Sequence, residues 1–242
     1  MTFPILDLID VSARSKELIR LHAINVSVQA GSLACIIGPN GSGKSTLLAL
    51  MAADLAPTTG RVMLAGQDLS KMTLGERAKQ RAVLTQETTV SFPFTVRDVV
   101  EWGRIPWLGT TTSAENNEIV AEVMTQLKLD ELANRPVTSL SGGERKRVHI
   151  ARVLVQKAPL LLLDEADSDL DLIGRQELDH LLLQQVKSGG SVVVVTHDAR
   201  RVGPISDQVI LMSAGRVHTV GKPSEVLTTD SLSSAFGSPL KW

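Results

Sequence analysis

The 242-residue chain has no tyrosine, only three tryptophans and four phenylalanines, and a single cysteine, Cys35. One cysteine excludes an intramolecular disulfide framework and suits a reducing compartment. Charge of one sign is also lacking: 25 Lys+Arg against 26 Asp+Glu leave a formal −1. That balance argues against nucleic acid as a main partner, because neutralising phosphates needs a basic face. His22, His149, His180 and His218 show no metal-ligand spacing with one another or with Cys35, and receive no role. The most apolar runs, 160–163 and 192–195, fall far short of the roughly 20 residues of a membrane span. The first residues, Met-Thr-Phe-Pro-Ile-Leu-Asp, carry acid early and no basic segment leading into a long apolar one, so no signal peptide is expected. Together these absences predict a soluble, cytoplasmic protein that reaches a membrane only through a partner.

What the chain does have is a series of short apolar runs at 33–37, 62–64, 160–163, 192–195 and 208–212. Several are apolar throughout, as parallel strands covered on both faces are. Residues 38–46 read Gly-Pro-Asn-Gly-Ser-Gly-Lys-Ser-Thr, a P-loop pattern preceded by the strand at 33–37 and followed by a helical segment. Glycines let backbone N–H groups converge on phosphate oxygens, and the following helix turns its positive end toward the same anion. Gly38, Pro39, Asn40, Gly41, Ser42, Gly43, Lys44, Ser45 and Thr46 are therefore candidate ATP ligands. Lys44 suits the β- and γ-phosphates, and Ser45 suits Mg²⁺. The run at 160–163 leads into Asp164 and Glu165. A carboxylate at a strand end places Asp164 beside that Mg²⁺, and Glu165 is a candidate general base toward water.

The expected fold is α/β: a P-loop NTPase (RecA-like) core with a mainly parallel sheet, an inserted helical subdomain and a β-rich N-terminal part. A single domain over 1–242 is expected, with the core at 1–87 and 158–220 and a C-terminal appendage at 221–242. The helical subdomain is expected at 88–157, with helices over 115–129 and 142–156.

The chain resembles the ATPase subunits of ABC transporters. Leu140-Ser-Gly-Gly-Glu144 is similar to that family's signature, which opens a helix. The same residues also form a capping box, and a capped, amide-presenting helix end is what binds phosphate. The resemblance implies that Ser141, Gly142, Gly143 and Glu144 serve the partner subunit's nucleotide. It further implies that Gln86, after a strand at 82–85, contacts Mg²⁺ and water, and that His197 touches the γ-phosphate. Ser168-Asp-Leu-Asp171 stands where the family has its D-loop, with Asp171 at the nucleotide. Catalysis is thereby expected of Glu165, His197, Gln86 and Lys44, and metal binding of Ser45, Gln86 and Asp164. The cofactors are ATP and Mg²⁺. Two copies are expected to pack head to tail as a homodimer with two composite sites.

Three features depart from the family pattern. No aromatic lies in 12–16 to stack on adenine, leaving Arg14 as a substitute and predicting weak base selectivity. Ala166 stands where proline is usual, and Asp169 adds a charge to the D-loop. Arg145, Lys146 and Arg147 are expected on a solvated helix face. Cys35 is expected to be a small buried hydrophobe.

Phe92, Phe94, Trp102 and Trp107 cluster after Gln86, either as core or as a groove that receives a membrane permease. Residues 91–106 and 80–86 resemble the ATPases of haem, ferric-siderophore and vitamin B12 importers, most of all the haemin group. That resemblance implies an ATPase peripheral on the inner face of the cell membrane, which powers a polytopic permease and serves a substrate-binding protein indirectly. The alternative is a soluble ABC ATPase in an assembly or scaffold complex, such as one for iron–sulfur clusters.

Overall fold

The computed structural model describes residues 4–15, 18–86 and 92–239; Lys16 and Ser91, which belong to segments discussed above, lie outside them. The chain opens with a long antiparallel pair, β1 (Pro4–Ser15) and β2 (Leu18–Gln29), extended by β4 (Thr59–Leu64) and β5 (Gln67–Asp68) into a four-stranded sheet. Between β2 and β4 come β3 (Leu33–Ile37) and α1 (Lys44–Ala52). After β5 follow α2 (Leu74–Gln80), β6 (Arg81–Leu84), α3 (Val96–Glu101), α4 (Ser113–Gln126) and α5 (Gly142–Leu154). Then β7 (Leu160–Asp164), α6 (Leu172–Lys187), β8 (Ser191–Val195), α7 (Ala199–Val202), β9 (Gln208–Ser213) and β10 (Arg216–Gly221) return to the second sheet. Helices α8 (Pro223–Val226) and α9 (Thr229–Phe236) close the chain.

The second sheet has the order β10-β9-β3-β8-β7-β6. Every pairing from β9 to β6 is parallel, and only β10 runs antiparallel. Because side chains alternate along a strand, each parallel strand feeds two cores. Ala34 and Ile36, Leu160 and Leu162, Val193 and Val195 pack with α1 and the antiparallel sheet. Leu33, Cys35 and Ile37, Leu161 and Leu163, Val192 and Val194 pack with the helices on the other face. Burial on both faces is why these runs read as unbroken apolar segments.

Helix starts are set locally. Thr73, Thr95, Thr112 and Ser141 each form a capping box with the acid three residues on. The Thr112 box starts α4 at Ser113 rather than 115, and a left-handed turn at Lys128 (φ 56°) stops it before 129. Helix α5 likewise ends at Leu154, short of 156. The strand expected at 82–85 is Arg81–Leu84. Val226, Leu232 and Ala235 of the C-terminal helices are buried in the same core as α3–α6.

Two expectations are corrected or resolved by packing. Lys146 does not lie on a solvated face: it is only 6% exposed, and Arg145 and Arg147 are half-buried. The Lys146 ammonium interacts with Asp169, Asp167, Glu165 and Asp164, at and after the end of β7. Cys35 is fully buried, and that burial pushes its thiol pKa up, as expected of a packing residue.

His149, on α5, is 2% exposed, and neither ring nitrogen takes a hydrogen bond. Burial, reinforced by Arg152, Lys146 and Arg145, lowers its pKa to about 4 from the ordinary 6.5. The unfolded chain therefore takes up this proton as pH falls through 6.5, while the folded one resists until about 4. Stability present above pH 6.5 is lost across that window. His149→Leu is expected to shrink the loss of unfolding free energy between pH 7 and 5 by roughly 1–2 kcal/mol. Denaturant titrations at both pH values check this, and equal losses in the two proteins would exclude it.

Candidate nucleotide-binding site

The P-loop turns between β3 and α1 on three glycines in left-handed backbone: Gly38 (φ 151°), Gly41 (φ 77°) and Gly43 (φ 101°). Space is as limiting as conformation. A Cβ on Gly38 would sit 2.3 Å from the Met212 carbonyl oxygen and 2.8 Å from Ser42 Oγ, and one on Gly43 2.7 Å from Leu21 Cδ2. Lys44 is 6% exposed and donates from Nζ to the carbonyl oxygens of Gly38 (2.9 Å) and Pro39 (3.1 Å). Burial lowers its pKa, and Glu165 and Asp164 oppose that shift.

Around the loop the parallel register lines up the remaining groups. Gln86 follows β6, Asp164 ends β7 with Glu165 directly after it, and His197 follows β8, so all leave the carboxyl edge that the P-loop shares. Ligands of open α/β sheets bind at this edge. Glu165 is in left-handed backbone (φ 47°), with its N–H donating to the Val195 carbonyl at 3.1 Å. Its carboxylate lies between the two neighbours. Gln86 Nε2 donates to Oε2 at 2.8 Å, and His197 Nε2 lies 2.6 Å from Oε1. Asp164 is 6% exposed; burial raises its pKa, against a hydrogen bond from Ser45.

A cavity of about 430 Å³ joins Asn40, Gly41, Gly43–Thr46, Gln86, Glu165 and His197. Arg20 also lines it, and sequence reasoning missed this residue. Arg14, the expected substitute for an aromatic, is exposed near the end of β1 and is not among the lining residues. Nothing in the local pattern marks Arg20; its place follows from β2 packing its carbonyl oxygen against Gly43 and Gly215.

The donor set fits Mg-nucleotide chemistry. Ser42 Oγ and Asp164 Oδ1 are buried without a partner, and a Cβ at Gly38 or Gly43 would crowd the cradle. Ser45, Asp164 and Gln86 supply the oxygens that Mg²⁺ prefers.

The signature segment lies elsewhere. Ser141 caps α5: its hydroxyl accepts from the Glu144 N–H at 3.3 Å, while Glu144 Oε2 accepts from the Ser141 N–H at 2.8 Å. With Gly143, Glu144, Asp169 and Asp171 it lines a second cavity of about 310 Å³, which shares no residue with the first. Asp169, in left-handed backbone (φ 65°), packs over this helix end: a Cβ on Gly143 would meet its carbonyl oxygen at 3.3 Å. Asp171 caps α6, accepting from the Gly174 N–H at 2.7 Å. Gly142 is exposed at the same helix end.

A phosphate cradle, a carboxylate pair and a clamped glutamate on one sheet edge define a P-loop nucleotide-binding protein. The ABC transporter family model matches residues 21–168, and the chain belongs to that family. It is 42% identical over 221 residues to the "Hemin import ATP-binding protein HmuV" of Streptomyces coelicolor, covering 91% of this chain and 79% of the relative. It is 38% identical to the "Cobalamin import ATP-binding protein BtuD" of Halobacterium salinarum, over 89% of this chain and 54% of that one. A bacterial ABC transporter cassette solved as a dimer superposes with a TM-score of 0.81 at 26% identity, over 90% of this chain and 98% of that one.

Gly38→Ala is expected to weaken nucleotide binding severely, since it meets both a forbidden φ and a backbone oxygen. Titration with a fluorescent ATP analogue should show at least roughly a 100-fold weaker Kd in a protein that keeps its helical circular dichroism. An affinity within threefold of wild type would show that the loop does not cradle phosphate.

Proposed function

We propose that this ABC ATPase binds ATP with Mg²⁺ as a homodimer and powers uptake of haem or a ferric siderophore through a membrane permease. The observation that carries the hydrolytic part is Glu165 held between Gln86 and His197 beside the P-loop. In this reading Gly38–Thr46 bind the phosphates, and Lys44 supplies positive charge to them. Ser45, Asp164 and Gln86 hold Mg²⁺, which when bound neutralises charge on the transferring phosphoryl group. Glu165 accepts a proton from the attacking water, with Gln86 and His197 fixing the direction in which its carboxylate points. Arg20 takes the position beside the nucleotide that Arg14 does not reach.

The homodimer is supported by two cavities with no shared residue. Each chain offers a P-loop half-site and, around Ser141, Gly142, Gly143, Glu144 and Asp171, a half-site for its partner's ATP. An isologous pair makes both whole. The core 1–87 and 158–220, the helical subdomain 88–157 and the appendage 221–242 then divide the work into hydrolysis, docking and closure of the fold.

Import is supported by the haemin and cobalamin import relatives. Docking is supported by the aromatic segment, which splits into anchors and exposed tips. Trp102 packs against the core and meets Phe94 edge-on at 5.0 Å. Trp107 donates from Nε1 to the Gln156 carbonyl at 2.7 Å. Phe92 (69%), Ile105 (57%) and Leu108 (70%) stay exposed, as a surface for a permease segment requires. No helix among the described residues is long and apolar enough to cross a membrane. In this reading the chain meets the inner face of the cell membrane at that permease. A substrate-binding protein acts only through it.

Glu165→Gln is expected to retain ATP binding, to lower kcat at least roughly 100-fold, and to elute as an ATP-dependent dimer in size-exclusion chromatography. Undiminished hydrolysis would remove Glu165 as the base. Affinity purification of the full chain from its host is expected to bring down a polytopic membrane protein. Recovery of soluble assembly factors alone would favour the scaffold role.

A further inference from the structure

A buried ion network lies directly behind the catalytic pair. Asp167, two residues after Glu165, is 8% exposed, and its Oδ2 accepts from Thr196 Oγ1 at 3.2 Å and from Arg201 Nη2 at 3.1 Å. Arg201 Nη1 also bonds Asp179 on α6. The loop after β8 is laced to the same groups: the Asp198 N–H donates to Thr196 Oγ1 at 3.1 Å, and the Arg201 N–H donates to Asp198 Oδ1 at 3.2 Å. The Arg201 side chain is 12% exposed, against 11% for Asp167 and 19% for Asp179. One cation and two carboxylates so far from water cost much of what their attraction returns, so such a network is a poor device for stability. It is a good device for fixing geometry, because breaking it strands a buried charge. What it fixes is specific. Thr196 and Arg201 flank His197, and Asp167 belongs to the turn that carries Glu165.

We propose that Arg201 and Asp167 form a positioning pair that holds the loop bearing His197 at a set distance from the turn bearing Glu165. Neither touches the nucleotide cavity, whose lining includes no residue of the network. The pair therefore acts on the orientation of Glu165 and His197 and leaves the phosphate cradle alone. This inference rests on the ATPase reading above.

Steady-state ATP hydrolysis by the purified full chain tests it, with wild type, Arg201→Met, Arg201→Lys, Asp167→Asn and Glu165→Gln assayed together. Arg201→Met and Asp167→Asn are expected to lower kcat by roughly 10- to 100-fold while KM for ATP stays within about threefold. Arg201→Lys is expected to recover most of the activity lost in Arg201→Met, since it restores the charge though not the fork. A purely structural role would lower the melting temperature or the folded fraction without changing kcat per folded molecule. Should Arg201→Met fail to fold, the isosteric Asp167→Asn decides. A kcat within twofold of wild type in Asp167→Asn overturns the proposal, as does a KM that rises in step with the loss of kcat. Failure of the ATPase reading looks different: wild type would be inactive, or Glu165→Gln as active as wild type, and the positioning pair would fall with it.

Discussion

The parallel hydrogen-bond ladder joining β3, β8, β7 and β6 is the constraint on which the site depends. Its register pairs Cys35 with Val194, Leu163 with Val194 and Leu84 with Leu163, so the four strands end within two residues of one level. The residue that follows each end then has no choice of neighbour. The P-loop follows β3, His197 follows β8, Glu165 follows β7, and Gln86 lies two positions beyond β6. Residues 79 and 32 positions from Glu165 thus reach its two oxygens without any long side chain having to stretch. A register slip in any strand would reverse its inward and outward faces as well as shift the site residue that follows it. Both cores therefore defend the same alignment that the chemistry needs.

That edge also concentrates negative charge. Asp164, Glu165, Asp167 and Asp169 fall within six residues, and two of them are nearly buried. Cations come from three separate elements: Lys44 from α1, Lys146 from α5 and Arg201 from α7. Lys146 shows the compromise. Burial lowers its pKa, while Asp169, Asp167, Glu165 and Asp164 all pull it back up. A cation held there tolerates desolvation only because the acids surround it, and they tolerate proximity because of the cation. The helix that carries the signature thus contributes a charge to its own chain's β7 while presenting its N-terminus elsewhere.

What the sequence made legible follows from this arrangement. Strands buried on both faces are unbroken apolar runs, and the P-loop glycines and the acids after β7 stand in contiguous motifs. Strands β1 and β2 were not legible individually. Their alternation is broken by irregularities at Asp10 (φ 52°) and Ala23 (φ 46°), where the register shifts. Helix α6 was missed because only Leu178, Leu181 and Leu182 of its sixteen residues are buried, too few for a clear stripe. Arg20, Lys146 and the Asp167–Arg201 pair were invisible for a different reason. Each owes its role to a neighbour distant in sequence, and no local spacing encodes that. Arg145–Arg147 look solvated as a string of charges, and only the packing of α5 shows otherwise.

The same packing bears on why one chain would not complete the reaction alone. The P-loop cavity and the cavity at the Ser141 helix end share no lining residue. Leu172 (73%) and Ile173 (64%) stand exposed at the start of α6, beside Asp169 and Asp171. Apolar side chains left in water next to an amide-presenting helix end suit a surface that closes only when anion and partner arrive together. In the dimer proposed above, nucleotide contributes contacts that the separate chains lack, so its binding favours closure. Loss of the γ-phosphate removes those contacts. Gln86 bonds Glu165 and stands six positions before Phe92 in the sequence.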